Sequence, residues 1–203
     1  MTDAHPAIPL EVAVVQADQL VTVGLETGAF RRAEVAGSVR RRKPQVHDIE
    51  VVAEPGDYFG GVPAFLASIG VVRGQPNKAG ARAPWSGKYF KAEFTRGMCA
   101  GVQLDLFLVS KDLGNEWGPI FAIRTGDRHF SQGVVTRLQR YGLQSQDGQV
   151  HVVKDSVRAE HGGAWVVPCP TEERFFELAH LPTLEPRLRD WDNPHTRALV
   201  EGP

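Results

Sequence analysis

The chain has 203 residues, 42% of them hydrophobic, and a formal net charge of −1. That apolar share buries the core of one domain or of two small lobes, and the near-neutral balance excludes the broad basic excess that draws a nucleic-acid backbone. Affinity for any polymer is therefore expected to be modest and salt-sensitive, or the substrate to be small. No apolar run approaches the roughly 20 residues of a membrane-spanning helix, so no membrane partner is expected. The opening MTDAHPAIPLEVAVV lacks the basic start and cleavage site of a signal peptide, and the expectation is a soluble, cytoplasmic protein. Cys99 and Cys169 have no paired spacing, which implies neither zinc nor a disulfide; both are expected reduced and packed.

Residues 9 to 25 repeat apolar positions at helical spacing behind Pro9, and predict a helix backing a sheet. A first strand over 32 to 36 ends where Gly37 permits close backbone approach. Gly37-Ser38 opens a turn able to present backbone N–H groups and a hydroxyl, and Arg40, Arg41, Arg42 and Lys43 follow, a set suited to cradling phosphate. A second strand then carries Asp48 and Glu50 in alternation with Ile49 and Val51. Strand side chains have period two, so both carboxylates leave one face while the aliphatics enter a core. Alone, an acid-x-acid alternation describes any solvated strand, and a basic run any wet loop. Together they point further. Two neighbouring carboxylates repel, and a cation between them relieves it; hard oxygen ligands suit Mg²⁺ or Mn²⁺.

Pro55-Gly56-Asp57 breaks the second strand, residues 62 to 70 read as a short helix over the sheet, and 71 to 86 read as a mobile loop. Positive charge, concentrated at 31 to 43, recurs thinly at Arg73, Lys78, Arg82, Lys88 and Lys91. Residues 87 to 96 and 100 to 109 alternate as a hairpin around Arg96-Gly97-Met98, which sets Asp105 beside the strand of Asp48 and Glu50, with Lys88 and Lys91 lining the same cleft. From 113 to 140 two helices are separated by Arg124-Thr125-Gly126-Asp127, where the glycine breaks the first and Asp127 caps the second. Residues 143 to 153 carry an Asp-Gly turn between short strands, Thr171 caps a helix over 171 to 179, and the last dozen residues read as frayed.

GSVRRRKPQVHDIE, residues 37 to 50, resembles the Gly-Ser-x-Arg-Arg and Asp-x-Asp signature of the polymerase-beta-like nucleotidyltransferases, in particular the family X DNA polymerases. VQLDLFLV, 102 to 109, supplies the third acid, Asp105. WGPIFAIRTGDRHFSQGVVTRLQRYGL is similar to the family's helix, Thr-Gly turn, second helix and Gly-Leu ending, and TEERFFELAHLPTLEPRLRD to the thumb's closing helix and Pro-x-x-Arg segment. The resemblance implies an α+β fold: a nucleotidyltransferase palm over 1 to 118, with a mixed, mostly antiparallel sheet backed by helices, and a small C-terminal α/β thumb over 119 to 203. With no room for a lyase or fingers domain before residue 33, a minimal palm-plus-thumb monomer is expected.

The resemblance also implies the chemistry. Asp48, Glu50 and Asp105 would be catalytic and hold two Mg²⁺ or Mn²⁺ ions; Gly37, Ser38, Arg40, Arg41, Arg124, Thr125 and Gly126 would bind a nucleoside triphosphate, with a nucleic-acid 3′ end as acceptor. Departures from the pattern are Glu50 where most members have Asp, His47 in place of a glycine, and Ile123-Arg124 in place of the Tyr-Phe that faces the sugar. Two alternatives stand beside the polymerase expectation: transfer to a tRNA, protein or small molecule, and a catalytically weak nucleotide-binding module.

Overall fold

The structure is a computed structural model that describes residues 6–73, 88–110 and 116–202. The chain divides into two compact units, Met1–Lys111 and Asp112–Pro203. Gly118, placed by the sequence at the end of the first segment, bonds through its N–H to Cys169 O at 3.1 Å inside the second unit. Among the described residues no helix is long and apolar enough to cross a membrane.

In the first unit a two-residue strand β1 (Ile8–Pro9) leads into helix α1 (Leu10–Glu26). Pro9 sits at the N-cap and pairs with Gln45 of β3 (Gln45–Val46), so the proline ends a strand rather than opening the first helical turn. Ala13, Ala17, Leu20 and Gly24 form the buried stripe of α1 at the three-and-four spacing of one helix face. A Cβ at Gly24 would strike the Phe30 ring, so the missing side chain lets the helix lie close on β2 (Phe30–Val35).

After β2 come a single helical turn, α2 (Gly37–Arg40), then β4 (Asp48–Pro55), α3 (Gly61–Ser68), β5 (Val71–Arg73), β6 (Tyr89–Phe94) and β7 (Gln103–Leu108). The five-stranded sheet runs β2-β4-β7-β6-β5. β4 and β7 are parallel and every other pairing is antiparallel, which is the mixed sheet expected. Ile49, Val51 and Ala53 of β4, Leu104 and Leu106 of β7, and Phe90, Ala92 and Phe94 of β6 share one core with the buried faces of α1 and α3. Two expectations need correction. The Gly37-Ser38 turn is the first turn of a helix, and the loop expected from 71 begins as strand β5. There the β-branched Val71 and Val72 pair with Phe94 and Glu93, after Gly70 takes φ +79° to leave α3. The rest of that loop, with Lys78 and Arg82, lies outside the described residues.

The second unit holds α4 (Trp117–Thr125), α5 (Arg128–Arg140), the strands β8 (Leu143–Gln146) and β9 (Gln149–Val152), α6 (Asp155–Arg158), β10 (Val166–Val167), α7 (Glu172–Leu178) and α8 (Pro194–Glu201). Asp127 caps α5 by accepting from Phe130 N at 2.8 Å, and Thr171 caps α7 by accepting from Arg174 N at 3.3 Å. Asp147 and Gly148 take φ 52° and 81° between β8 and β9, the paired left-handed conformation of a tight hairpin turn. β10 adds a third strand beside β9.

The frayed C-terminus is also corrected. Asn193 accepts from His195 N and Thr196 N and Pro194 takes the first helical position, so α8 begins on a strong start signal. Its far end is held by Arg137 of α5, a buried side chain that donates to Ala179 O at 2.8 Å, Val200 O at 3.3 Å and Gly202 O at 2.6 Å.

Candidate active site

Period two assigns each strand of the five-stranded sheet an inner and an outer face. Ile49 and Val51 are fully buried, while Asp48 and Glu50 between and beside them are half-buried on the opposite face. In the parallel ladder Asp48 stands opposite Gln103 and Glu50 opposite Asp105; across β6 Lys91 is opposite Asp105 and Tyr89 opposite Phe107. One sheet face therefore carries Asp48, Glu50, Gln103, Asp105, Tyr89 and Lys91 together. Lys88 is exposed, ahead of β6.

Asp105 is the most constrained of the three acids. Its Oδ1 accepts from the Tyr89 hydroxyl at 3.0 Å and from Gln103 Nε2 at 2.8 Å. Burial pushes its carboxyl above the ordinary carboxylate range; the Tyr89 hydrogen bond opposes this, the Asp48 charge adds to it, and Lys91 and Gln103 pull it back. The influence of Asp48 means that two carboxylates already repel across the β4–β7 boundary, which a cation would relieve. Among the described residues, however, no three His, Cys, Asp or Glu side chains converge as the ligands of one ion. Glu50 shows where the third carboxylate goes: it packs against Gly37, whose own Cβ, were there one, would strike Glu50 Oε2.

Gly37 is buried with φ +60°, so its lack of a side chain serves both the backbone turn and the close approach of Glu50. Ser38 follows with its Oγ buried and, among the described residues, without a hydrogen-bond partner. An unpaired buried hydroxyl is costly in isolation and marks a place where an acceptor fits. Arg40 and Arg41 are half-buried at the end of α2, and Arg42, exposed, takes φ 61° to turn the chain toward β3. Asp48, Glu50 and Asp105 thus share a sheet face, Glu50 lies against Gly37 at the start of α2, and Ser38, Arg40 and Arg41 follow Gly37 in the chain; carboxylate oxygens are of the type that suits divalent ions, hydroxyl and guanidinium donors of the type that suits phosphate.

Arg124, Thr125 and Gly126 belong to the second unit. Arg124 is exposed in the last turn of α4 and Thr125 is fully buried. Gly126 is sterically required, because a Cβ there would strike the Phe130 ring and stand 2.8 Å from Ser131 Oγ. Asp127, just beyond, ties this turn to a distant segment by accepting from Trp191 N, while its own N–H donates to Arg189 O at 3.1 Å. Tyr89 and Gln103 escaped the sequence reading, although alternation away from Asp105 along β7 and across β6 was a signal that could have found them.

No protein-family model matches the chain, and no curated protein matches its sequence. Among solved structures, the crystal structure of Leishmania infantum polymerase beta, a ternary P/T complex, is similar with a TM-score of 0.69 and 16% identity, covering 93% of this chain and 78% of that one. The chain shares its fold with that polymerase beta. At that identity the likeness is one of fold.

Proposed function

We propose that this protein is a metal-dependent nucleotidyltransferase that adds nucleotides to a nucleic-acid 3′ hydroxyl, as a small family X-like polymerase would. One observation carries the reading: the parallel register sets Asp105 opposite Glu50, bringing three acids to one sheet face beside the Gly37-Ser38 turn. Asp48, Glu50 and Asp105 would hold two Mg²⁺ or Mn²⁺ ions. Bound there, such ions supply activation of the acceptor hydroxyl and neutralisation of the triphosphate. The chain's own groups do the rest. The Ser38 hydroxyl would donate to a phosphate oxygen and Arg40 and Arg41 would bring positive charge to the triphosphate, while Gly37, at φ +60°, makes the turn into α2. For Arg124, Thr125 and Gly126 of the second unit, nucleotide binding is proposed on the sequence resemblance alone.

Two other readings have an observation each. The net charge of −1 favours a protein or small-molecule acceptor over a nucleic acid. The seating of Glu50 on Gly37 favours a weak enzyme or a nucleotide-binding module, since misplacement of a reacting group by about 1 Å costs about 100-fold in rate. Incubation with labelled nucleotides, Mg²⁺ or Mn²⁺, and either a primer-template or an unpaired DNA oligomer separates them. Extension that disappears in Asp48→Ala supports the polymerase-like reading. Nucleotide binding without extension of either DNA turns the assignment to the other two.

A further inference from the structure

We infer that Tyr89 and Gln103 are positioning residues that divide the labour of the Asp105 carboxylate, holding Oδ1 within the protein and reserving Oδ2 for a divalent cation. This deepens the metal-dependent reading of the site and rests on it. Gln103 precedes Asp105 by two residues on the same face of β7 and is only 6% exposed. Tyr89 stands opposite Phe107, and the two rings stack at 4.9 Å between centroids with planes 10° apart. The stack fixes the Tyr89 ring so that its hydroxyl reaches diagonally back to Asp105, the short diagonal of an antiparallel pair. One donor thus approaches from each end of the strand, and both choose the same oxygen, at 3.0 and 2.8 Å.

A carboxylate oxygen has two lone-pair sites. With both occupied, Oδ1 is a poor ligand, while among the described residues Oδ2 accepts no hydrogen bond. The side chain is also held in orientation, although rotation about the last bond of an aspartate is otherwise broad and soft. Partners of this kind around a ligating group typically contribute 10–100-fold in metal affinity. Neither residue touches the acceptor or the phosphates in this account; each acts through Asp105.

The test is Mn²⁺ binding to the full chain, followed by the electron paramagnetic resonance signal of free Mn²⁺, for wild type, Tyr89→Phe, Gln103→Leu and the double variant. Tyr89→Phe keeps the stacked ring and removes only the hydroxyl, so it remains informative where the double variant unfolds. The expected result is a dissociation constant raised about 3–10-fold by each single change and about 10–100-fold by both. Nucleotide transfer should fall at low Mn²⁺ and recover at saturating Mn²⁺ with the nucleotide KM unchanged, a recovery that a merely structural role would not give. Variants that bind Mn²⁺ as tightly as wild type overturn the inference alone. Wild-type protein that binds Mn²⁺ but transfers no nucleotide removes the enzymatic reading and leaves the inference standing, whereas wild-type protein that binds no Mn²⁺ overturns both.

Discussion

The carboxylate of Glu50 rests on the bare Cα of Gly37, so that a Cβ at position 37 would stand 2.8 Å from Glu50 Cδ and strike Oε2. Gly37→Ala therefore meets two penalties, the clash and a φ of +60° that costs an L-residue about 1–2 kcal/mol. The variant should unfold at lower temperature, by several degrees for a chain of this size. Glu50→Asp withdraws the carboxylate and should recover part of the loss. Double-mutant thermal unfolding that is strictly additive would contradict the contact, since touching residues couple by about 0.5–3 kcal/mol.

Ser38→Ala should separate stability from binding. Removing a buried hydroxyl that has no partner among the described residues leaves stability unchanged or slightly improved. On the proposed function, the variant also loses a hydrogen bond to phosphate and should bind triphosphate about 3–10-fold more weakly, the equivalent of roughly 1 kcal/mol. Urea unfolding and nucleotide titration calorimetry on the same two proteins check both halves.

Asp105→Asn should stabilise the metal-free protein at neutral pH. Burial, with the Asp48 charge adding, holds the Asp105 carboxyl above its ordinary value against Tyr89, Lys91 and Gln103, so the folded state prefers the protonated form. The stability this confers is complete below the unfolded value of about 4 and is lost as pH rises through the raised folded value. Thermal unfolding in EDTA should thus show the variant above wild type at pH 7, with the gap closing toward pH 4. Divalent ions should reverse the order.

Arg189 and Glu172 form a buried ion pair, with Arg189 Nε also donating to Leu184 O at 2.8 Å. Removing one partner strands a charge, and Arg189→Met is expected to destabilise the second unit by about 3–5 kcal/mol. Arg189→Met combined with Glu172→Leu should regain much of that, because an apolar pair avoids the desolvation that the ions incur. Chemical denaturation of the four proteins completes the cycle.

Both thiols should be inert in the folded protein. Burial raises Cys99, and pushes Cys169 up to about 12 against the pull of Arg174, so neither is a thiolate at pH 8. Alkylation should be slow in native buffer and complete in urea, read by mass.

What the sequence displayed and what it concealed divide along the range of the interactions. Asp48 and Glu50 announced their shared face through alternation, Asp147-Gly148 announced its turn, and Asp127 and Thr171 announced their caps, because each signal lies within four residues. Asn193-Pro194 was an equally local signal, and the expectation of fraying overlooked it. Arg137 was hidden for a different reason. On an amphipathic helix it reads as a solvent-facing arginine, yet its guanidinium is satisfied by carbonyls of residues 179, 200 and 202, which only the folded chain brings near. The grip on Asp105 was half legible: Gln103 follows from period two along β7, while Tyr89 depends on the pairing of β6.

The turn over Gly97–Cys99 works as a ruler. Because adjacent strand residues point to opposite sides, lengthening the connection between Phe94 and Gln103 by a single amino acid, with β6 fixed, would hand the place of Asp105 to an aliphatic neighbour and drive the acid into the oily layer beneath. One inserted codon in that connection would thus dismantle the shared acidic face with every residue of the acid set still spelled out in the gene.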